Sequence, residues 1–396
     1  MHQTTRLVLL FTVLSFSSWA NAFAPIASER LAFCVEEVAG DIRRALSFAF
    51  IDDKHVLVGD REPGILRLLD VTNGKVVEVE GLPEMLRSGP VSSGLFDVRL
   101  ARDFATSKHI FLAYGIGTEE ANGLAVSRFE LDGTRLTNPK EIFRSTTLIA
   151  GKWHFGGRLE VGEKHLYLST GDGYDFKDEA QNPKHYAGKI LRFNPDGSIP
   201  PDNPYADGEN GLPEVWALGV RNPQGMTIDR STKTVYINEH GPQGGDEVNI
   251  IRGGVNYGWP VITYGEEYGG GPIGDGITHA GGMEQPLFYW TPSIAPSGMA
   301  YYDSDRFPQW KGNLFNGALA QTHLNRLVVE DGRVLHQERL LDDKGWRIRG
   351  VEQAPNGDIY IGVDEEGVMR LTTPNSENQC ATDQGVEENN DEAPEE

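Results

Sequence analysis

Between residues 45 and 373 one theme recurs: a short strand, a polar turn, a strand ending in Tyr, Phe or Val, a loop, then an apolar strand often carrying Arg. Six such units begin near Leu46 ("LSFAFIDDKHVLVGD"), Leu95, Gly156, Gln224 ("QGMTIDRSTKTVYINEHG"), Ser297 and Arg349. Their spacings run from 49 residues (46 to 95) to 73 (224 to 297), which suits blades with inserted loops. Helical periodicity is scarce, and the strand runs are bounded by turn residues. A lone four-stranded unit would leave both faces and both edges exposed, so repeated units of this size bury themselves best by packing radially. The expectation is an all-β chain folded as a six-bladed β-propeller spanning residues 23–375, with stacked β-sandwiches as the alternative.

The ends differ from this body. A basic start, "MHQTTR", precedes an apolar run of about 14 residues, "LVLLFTVLSFSSWA", and a small-residue site, "ANA". Residues 1–22 therefore read as a signal peptide cleaved after Ala22, and the protein as exported, periplasmic or secreted. About 20 apolar residues are needed to cross a bilayer, so no membrane span is expected. From residue 376 to 396 the composition turns acidic, with seven acids and no base after Cys380, a solvated and disordered tail. The formal charge of −22 argues against nucleic-acid or anionic-membrane partners. Only two cysteines occur, Cys34 and Cys380. A propeller closes by bringing its chain ends into one blade, which favours their pairing over two free thiols in an oxidising compartment.

Several short motifs bear on chemistry. In "GKWHFGGRLE" His154 stands before Gly156 and Gly157, which would leave room for a flat ligand, and Asp172 in "STGDG" lies one strand later, within reach of one ring nitrogen. Such a ring is either a packed core histidine or a base. Arg221 ends an apolar run, while Arg347 and Arg349 in "WRIRG" alternate on a strand and face one side, an arrangement that suits an anion unless both are solvated. "NEHGPQGGDEVNII" gathers Glu239, Asp246 and Glu247 around a Gly-Pro turn, a donor mix for calcium or a polar loop capped by its own carboxylates. His240 has no second His or Cys at ligand spacing, which disfavours zinc. "GGGPIG" (269–274) matches a dinucleotide fingerprint only formally, since no helix pattern follows. Asp172, Asp175 and Asp178 lack the glycine and terminal glutamate of a helix-loop-helix calcium site.

Taken in order, "HFGGRL", "STGDG", "GKILRFNPDGSIPPDNP", "GVRNPQGM", "EHGPQGGDEVN", "NYGWP", "GMEQP" and "RIRGV" resemble the soluble pyrroloquinoline quinone (PQQ)-dependent aldose sugar dehydrogenases of the glucose/sorbosone dehydrogenase family, over roughly residues 40–372. The resemblance implies a six-bladed propeller that uses PQQ and calcium, oxidises an aldose at C1 to a lactone and passes electrons to an external acceptor. Carried over by position, it makes His154 the general base and Asp172 its orienting carboxylate. Arg221, Asn222, Tyr268, Arg347 and Arg349 become PQQ contacts, Gly241 and Pro242 carbonyl ligands of the cofactor's calcium, and Glu247 with the Tyr257 carbonyl a second calcium site. Hydride would pass from C1 to the C5 carbonyl of the quinone while His154 takes the hydroxyl proton. Two positions depart from the pattern: Ser92 stands where the family has a cofactor-contacting Gln, and Ala320 where glucose-oxidising relatives have a Lys. Two other functions suit a propeller: a calcium-dependent hydrolase or lactonase, which would not need the three arginines, and a noncatalytic sugar-binding module.

Overall fold

A computed structural model describes residues 24–61, 63–86, 94–151 and 153–380; the expected signal segment, residues 1–22, Ser92 and the part of the expected tail beyond Cys380 lie outside the described residues. Five four-stranded antiparallel sheets and one five-stranded sheet form six blades. Their innermost strands begin at Ala45, Leu95, Gly156, Pro223, Pro296 and Ile348, each within one residue of the unit starts read from the sequence. These strands pack one against the next around a closed ring, so the architecture is the six-bladed β-propeller rather than stacked sandwiches.

The core lies between blades. Phe96 and Phe111 of the second blade share one apolar cluster with Leu159 and Leu168 of the third, and Phe315 of the fifth shares another with Phe33 and Ile361 of the sixth. Facing sheets interdigitate their alternate side chains in this way, so both faces of a blade can be apolar. The wall of the central channel is different. Arg99 bonds Glu352 at 2.7 Å, and Arg158 lies 3.3 Å from Asp97, so these buried charges are mutually compensated.

Closure is made by the N-terminal strand Ala32–Ala39, which pairs with Gly367–Thr372 and sets Cys34 opposite Thr372. The Cys34–Cys380 disulfide locks that junction, with Cα atoms 5.5 Å apart across a sequence separation of 346. A cross-link over so long a loop contributes about 2–5 kcal/mol, chiefly by constraining the unfolded chain. For a domain of this size the Cys34→Ser/Cys380→Ser variant should therefore melt about 3–7 °C lower in calorimetry. An unchanged melting temperature would mean the strand pairing closes the ring unaided.

The blade topology also decides where a site can form. In an antiparallel hairpin the residues before the first strand and those after the second lie at the same end. His154 precedes Gly156–Val161 while Asp172 follows Leu166–Thr170; Arg221 precedes Pro223–Asp229 while His240 follows Thr234–Glu239. Arg349 opens Ile348–Gln353 and Asp364 follows Ile359–Val363. Six blades thus bring these positions to a single mouth of the channel.

Candidate active site

At that mouth lies a cavity of about 520 Å³, lined by His154, Asn222, Gln224, His240, Arg61 and Arg349, with Trp153, Phe155, Tyr174, Tyr268 and Leu319 as its less polar walls. His154 Nδ1 is 2.7 Å from Asp172 Oδ1. Because a carboxylate accepts, Nδ1 carries the proton and Nε2 keeps its lone pair. Asp172 is almost wholly buried and also accepts from the Tyr174 backbone at 2.9 Å and from the Trp259 indole at 2.9 Å. Burial alone would raise its pKa, but the hydrogen bonds and charges of His154 and Arg221 hold it below the usual carboxylate range. It therefore stays ionised and fixes the imidazole.

His154 sits in the left-handed region at φ 56°, an uncommon backbone for a residue with a side chain and one that recurs at functional sites. Gly156 and Gly157 were expected to leave space for a ligand; the structure assigns them another task. A Cβ on Gly157 would meet Phe96 at 2.6 Å, and one on Gly156 would meet the Thr170–Gly171 backbone at 2.8 Å. The glycines let neighbouring strands approach and so position His154, while the cavity opens beside them.

Burial pushes the His154 ring below its ordinary 6.5; the Asp172 hydrogen bond opposes this and Arg221 reinforces it. The neutral form is the one that accepts a proton, so base function should hold at neutral pH and fall away only as the pH drops through the depressed pKa. We expect an acid limb in the pH profile of turnover with a midpoint under 6.5. Asp172→Asn removes a group that raises this pKa, so its limb should lie lower still. A midpoint above 6.5, or one moved up in Asp172→Asn, would contradict the assignment.

Arg221 is held by its Nη1, which donates to the His240 and Gly241 carbonyls at 2.8 and 2.9 Å, and lies over the Trp259 ring at 5.2 Å. Its buried Nε has no hydrogen-bond partner among the described residues. Asn222, beside it, accepts from the Gly156 backbone at 3.3 Å. Arg349 grips Asp364 through two bonds of 2.6 Å, whereas Arg347 reaches Asp364 at 3.4 Å and the Leu319 carbonyl at 2.7 Å, with its side chain half exposed. The two arginines were expected to face one ligand together; only Arg349 lines the cavity, and Arg347 supports it from outside. Tyr268 is 60% exposed at the rim, next to the glycine loop 269–274.

The acidic turn divides in two. Asp246 accepts from the Ile294 and Ala295 backbones at 2.8 Å and the Ser293 hydroxyl at 2.6 Å through Oδ2, and from the Gly241 backbone at 2.8 Å through Oδ1, so it pins the Gly241–Pro242 turn. Glu239 and Glu247 instead face each other across paired strands. Burial pushes both carboxyls up, and the charge of Glu239 adds to the effect at Glu247. Tyr257 is buried nearby, its hydroxyl donating to the Ile250 carbonyl at 2.6 Å. Among the described residues no group of three or more His, Cys, Asp or Glu is arranged to hold a metal.

Tyr174, just after "STGDG", and Trp259, within "NYGWP", also belong to this mouth, and Arg61 and Asp364 belong to it with no motif of their own. The repeat contains their signal: Arg61, Asp172, His240, Leu319 and Asp364 are each the first or second residue after a blade's second strand.

Fold and site together define a propeller with a ligand-sized cavity at one mouth of its channel, carrying an oriented histidine and a basic wall. Residues 42–371 match the Glucose / Sorbosone dehydrogenase family, and the chain belongs to that family. Over 370 residues, 92% of this chain and 97% of the relative, it is 36% identical to aldose sugar dehydrogenase YliI of Escherichia coli (strain K12). The apo-form of the soluble aldose sugar dehydrogenase from Escherichia coli matches with a TM-score of 0.80 at 36% identity, over 86% of this chain and 99% of that one. The PQQ-bound form of aldose sugar dehydrogenase from Streptomyces coelicolor matches with a TM-score of 0.69 at 25% identity, over 88% and 99%.

Proposed function

We propose that this protein is an exported, PQQ-dependent aldose dehydrogenase that oxidises the C1 hydroxyl of a sugar to the lactone and passes the electrons to an external acceptor. The observation that carries the reading is the His154–Asp172 pair opening onto a cavity walled by arginine. PQQ is flat and bears three carboxylates; Arg349 and the amides of Asn222 and Gln224 line the cavity as donors such a trianion needs, while Arg221 lies behind the lining, holding the His240 and Gly241 carbonyls. Calcium fits the oxygen chemistry: Glu247, its neighbour Glu239 and the Tyr257 carbonyl would hold one ion, and the Gly241 and Pro242 carbonyls would face the cofactor's. A calcium-dependent hydrolase gains nothing from this basic wall. Export accords with the paired cysteines, since disulfides persist in oxidising compartments.

PQQ, when bound, would supply a two-electron acceptor for the C1 hydride, and calcium would serve to polarise it. His154 Nε2 takes the C1 hydroxyl proton, and the buried Asp172 carboxylate stabilises the imidazolium that forms. Arg221 fixes the turn that carries Gly241, and Trp153 and Phe155 form apolar walls beside His154.

The test is reconstitution of the full mature protein with PQQ and calcium, followed by dye reduction against a panel of aldoses. Dye reduction should require the cofactor, calcium and an aldose together. Tight PQQ binding without turnover of any aldose would instead indicate a binding propeller.

A further inference from the structure

We infer that Arg61 is a further anion-binding residue of this cavity, paired with Arg349 to receive one carboxylate of the cofactor, an inference that rests on the function proposed above. Arg61 follows the second strand of the first blade, His55–Asp60, and lines the same cavity as His154, Asn222 and Arg349.

Most other deeply placed arginines have an acidic partner; Arg221 is an exception whose Nη1 is held by the His240 and Gly241 carbonyls. Arg99 meets Glu352 at 2.7 Å, Arg326 meets Glu338 at 2.6 Å, Arg192 meets Asp202 at 2.5 Å and Arg349 meets Asp364 at 2.6 Å. Arg61 has none within ion-pair distance among the described residues, and its guanidinium instead lies 5.8 Å from the centre of the Phe96 ring. The charges around it are mostly of its own sign, Arg349, Arg158 and Arg44, with Asp364 as the opposing one. Burial and these neighbours push its pKa down to about 9, which still leaves it charged at neutral pH. A cation held without a counter-charge beside a second guanidinium and an open cavity is matched by a ligand anion, and the planar fork of arginine suits a carboxylate.

Two effects of opposite direction follow, which a packing role would not produce. In the apo protein Arg61 is repelled by Arg349 and Arg158, so Arg61→Gln should melt no lower than the parent. The same variant loses a charge-assisted contact to the cofactor, so it should bind PQQ about 10- to 100-fold more weakly. Arg61→Lys, which keeps the charge without the fork, should recover part of that affinity.

The experiment titrates PQQ into the calcium-loaded full chain, following quenching of tryptophan fluorescence, and measures the melting temperature of each apo variant. Weaker PQQ binding by Arg61→Gln with an undiminished apo melting temperature supports the assignment. Equal PQQ affinity in parent and Arg61→Gln overturns it while leaving the proposed function intact. A fall in apo melting temperature also overturns it, by making Arg61 a packing residue on Phe96. A parent that fails to bind PQQ overturns both readings.

Discussion

Replacing His154 with alanine should slow aldose oxidation by about a hundredfold to ten-thousandfold, the usual consequence of losing a general base, while PQQ still binds. The expectation rests on three features. Nε2 is the one ring nitrogen without a partner, because Nδ1 is held by Asp172 at 2.7 Å. Burial keeps the ring neutral at physiological pH. His154 lines the cavity from a left-handed backbone, φ 56°. Asparagine tolerates that backbone better than alanine, so His154→Asn is the control that removes the base with least strain. Both variants should show the same loss in kcat, and added imidazole should restore part of it. A packed core histidine would behave differently: its removal would lower the melting temperature and leave kcat near the parent's.

The second large effect concerns Arg349. Its two bonds to Asp364 are the best-formed ion pair at the mouth, and both side chains are nearly inaccessible. Arg349→Ala leaves Asp364 buried with only the longer contact to Arg347, and breaking a buried pair from one side costs about 3–5 kcal/mol. For a domain of this size that corresponds to about 4–7 °C in melting temperature. PQQ binding should weaken at least as much as in Arg61→Gln. Arg349→Ala/Asp364→Asn separates the two roles. Neutralising the stranded carboxyl should return much of the stability, yet affinity for PQQ should stay low because one of the two arginines lining the cavity is still missing. Recovery of affinity in the double variant, titrated as for Arg61, would show that Arg349 serves the fold alone.

Much of this structure was legible in the chain because a propeller repeats its signals. The unit starts at Leu46, Leu95, Gly156, Gln224, Ser297 and Arg349 fall within one residue of the observed innermost strands, since each is an apolar run between turn residues. The cysteine pair followed from ring closure, and His154 with Asp172 from one blade's hairpin. What stayed hidden depended on side-chain direction or on partners far apart in sequence. Arg347 and Arg349 alternate as expected, but whether each faces the cavity is set by Asp364 and the Leu319 carbonyl, neither of which adjoins them. Asp246 looked like a cation ligand beside Glu247; its four donors come from Gly241 and from the loop at Ser293, Ile294 and Ala295, across the blade. The glycines beside His154 misled for the same reason, because their close neighbours are Phe96 and the Thr170–Gly171 backbone.

The most direct measurement of the central claim is an anaerobic single turnover. The chain is loaded with PQQ and calcium, mixed with excess aldose and no acceptor, and followed by absorbance while the product is quantified. One lactone per bound PQQ should form together with the spectrum of the reduced cofactor, and in His154→Asn both should appear about a hundredfold or more slowly. Loss of the oxidised spectrum at the parent's rate in that variant, or a PQQ-loaded parent that forms no lactone from any aldose, would contradict it.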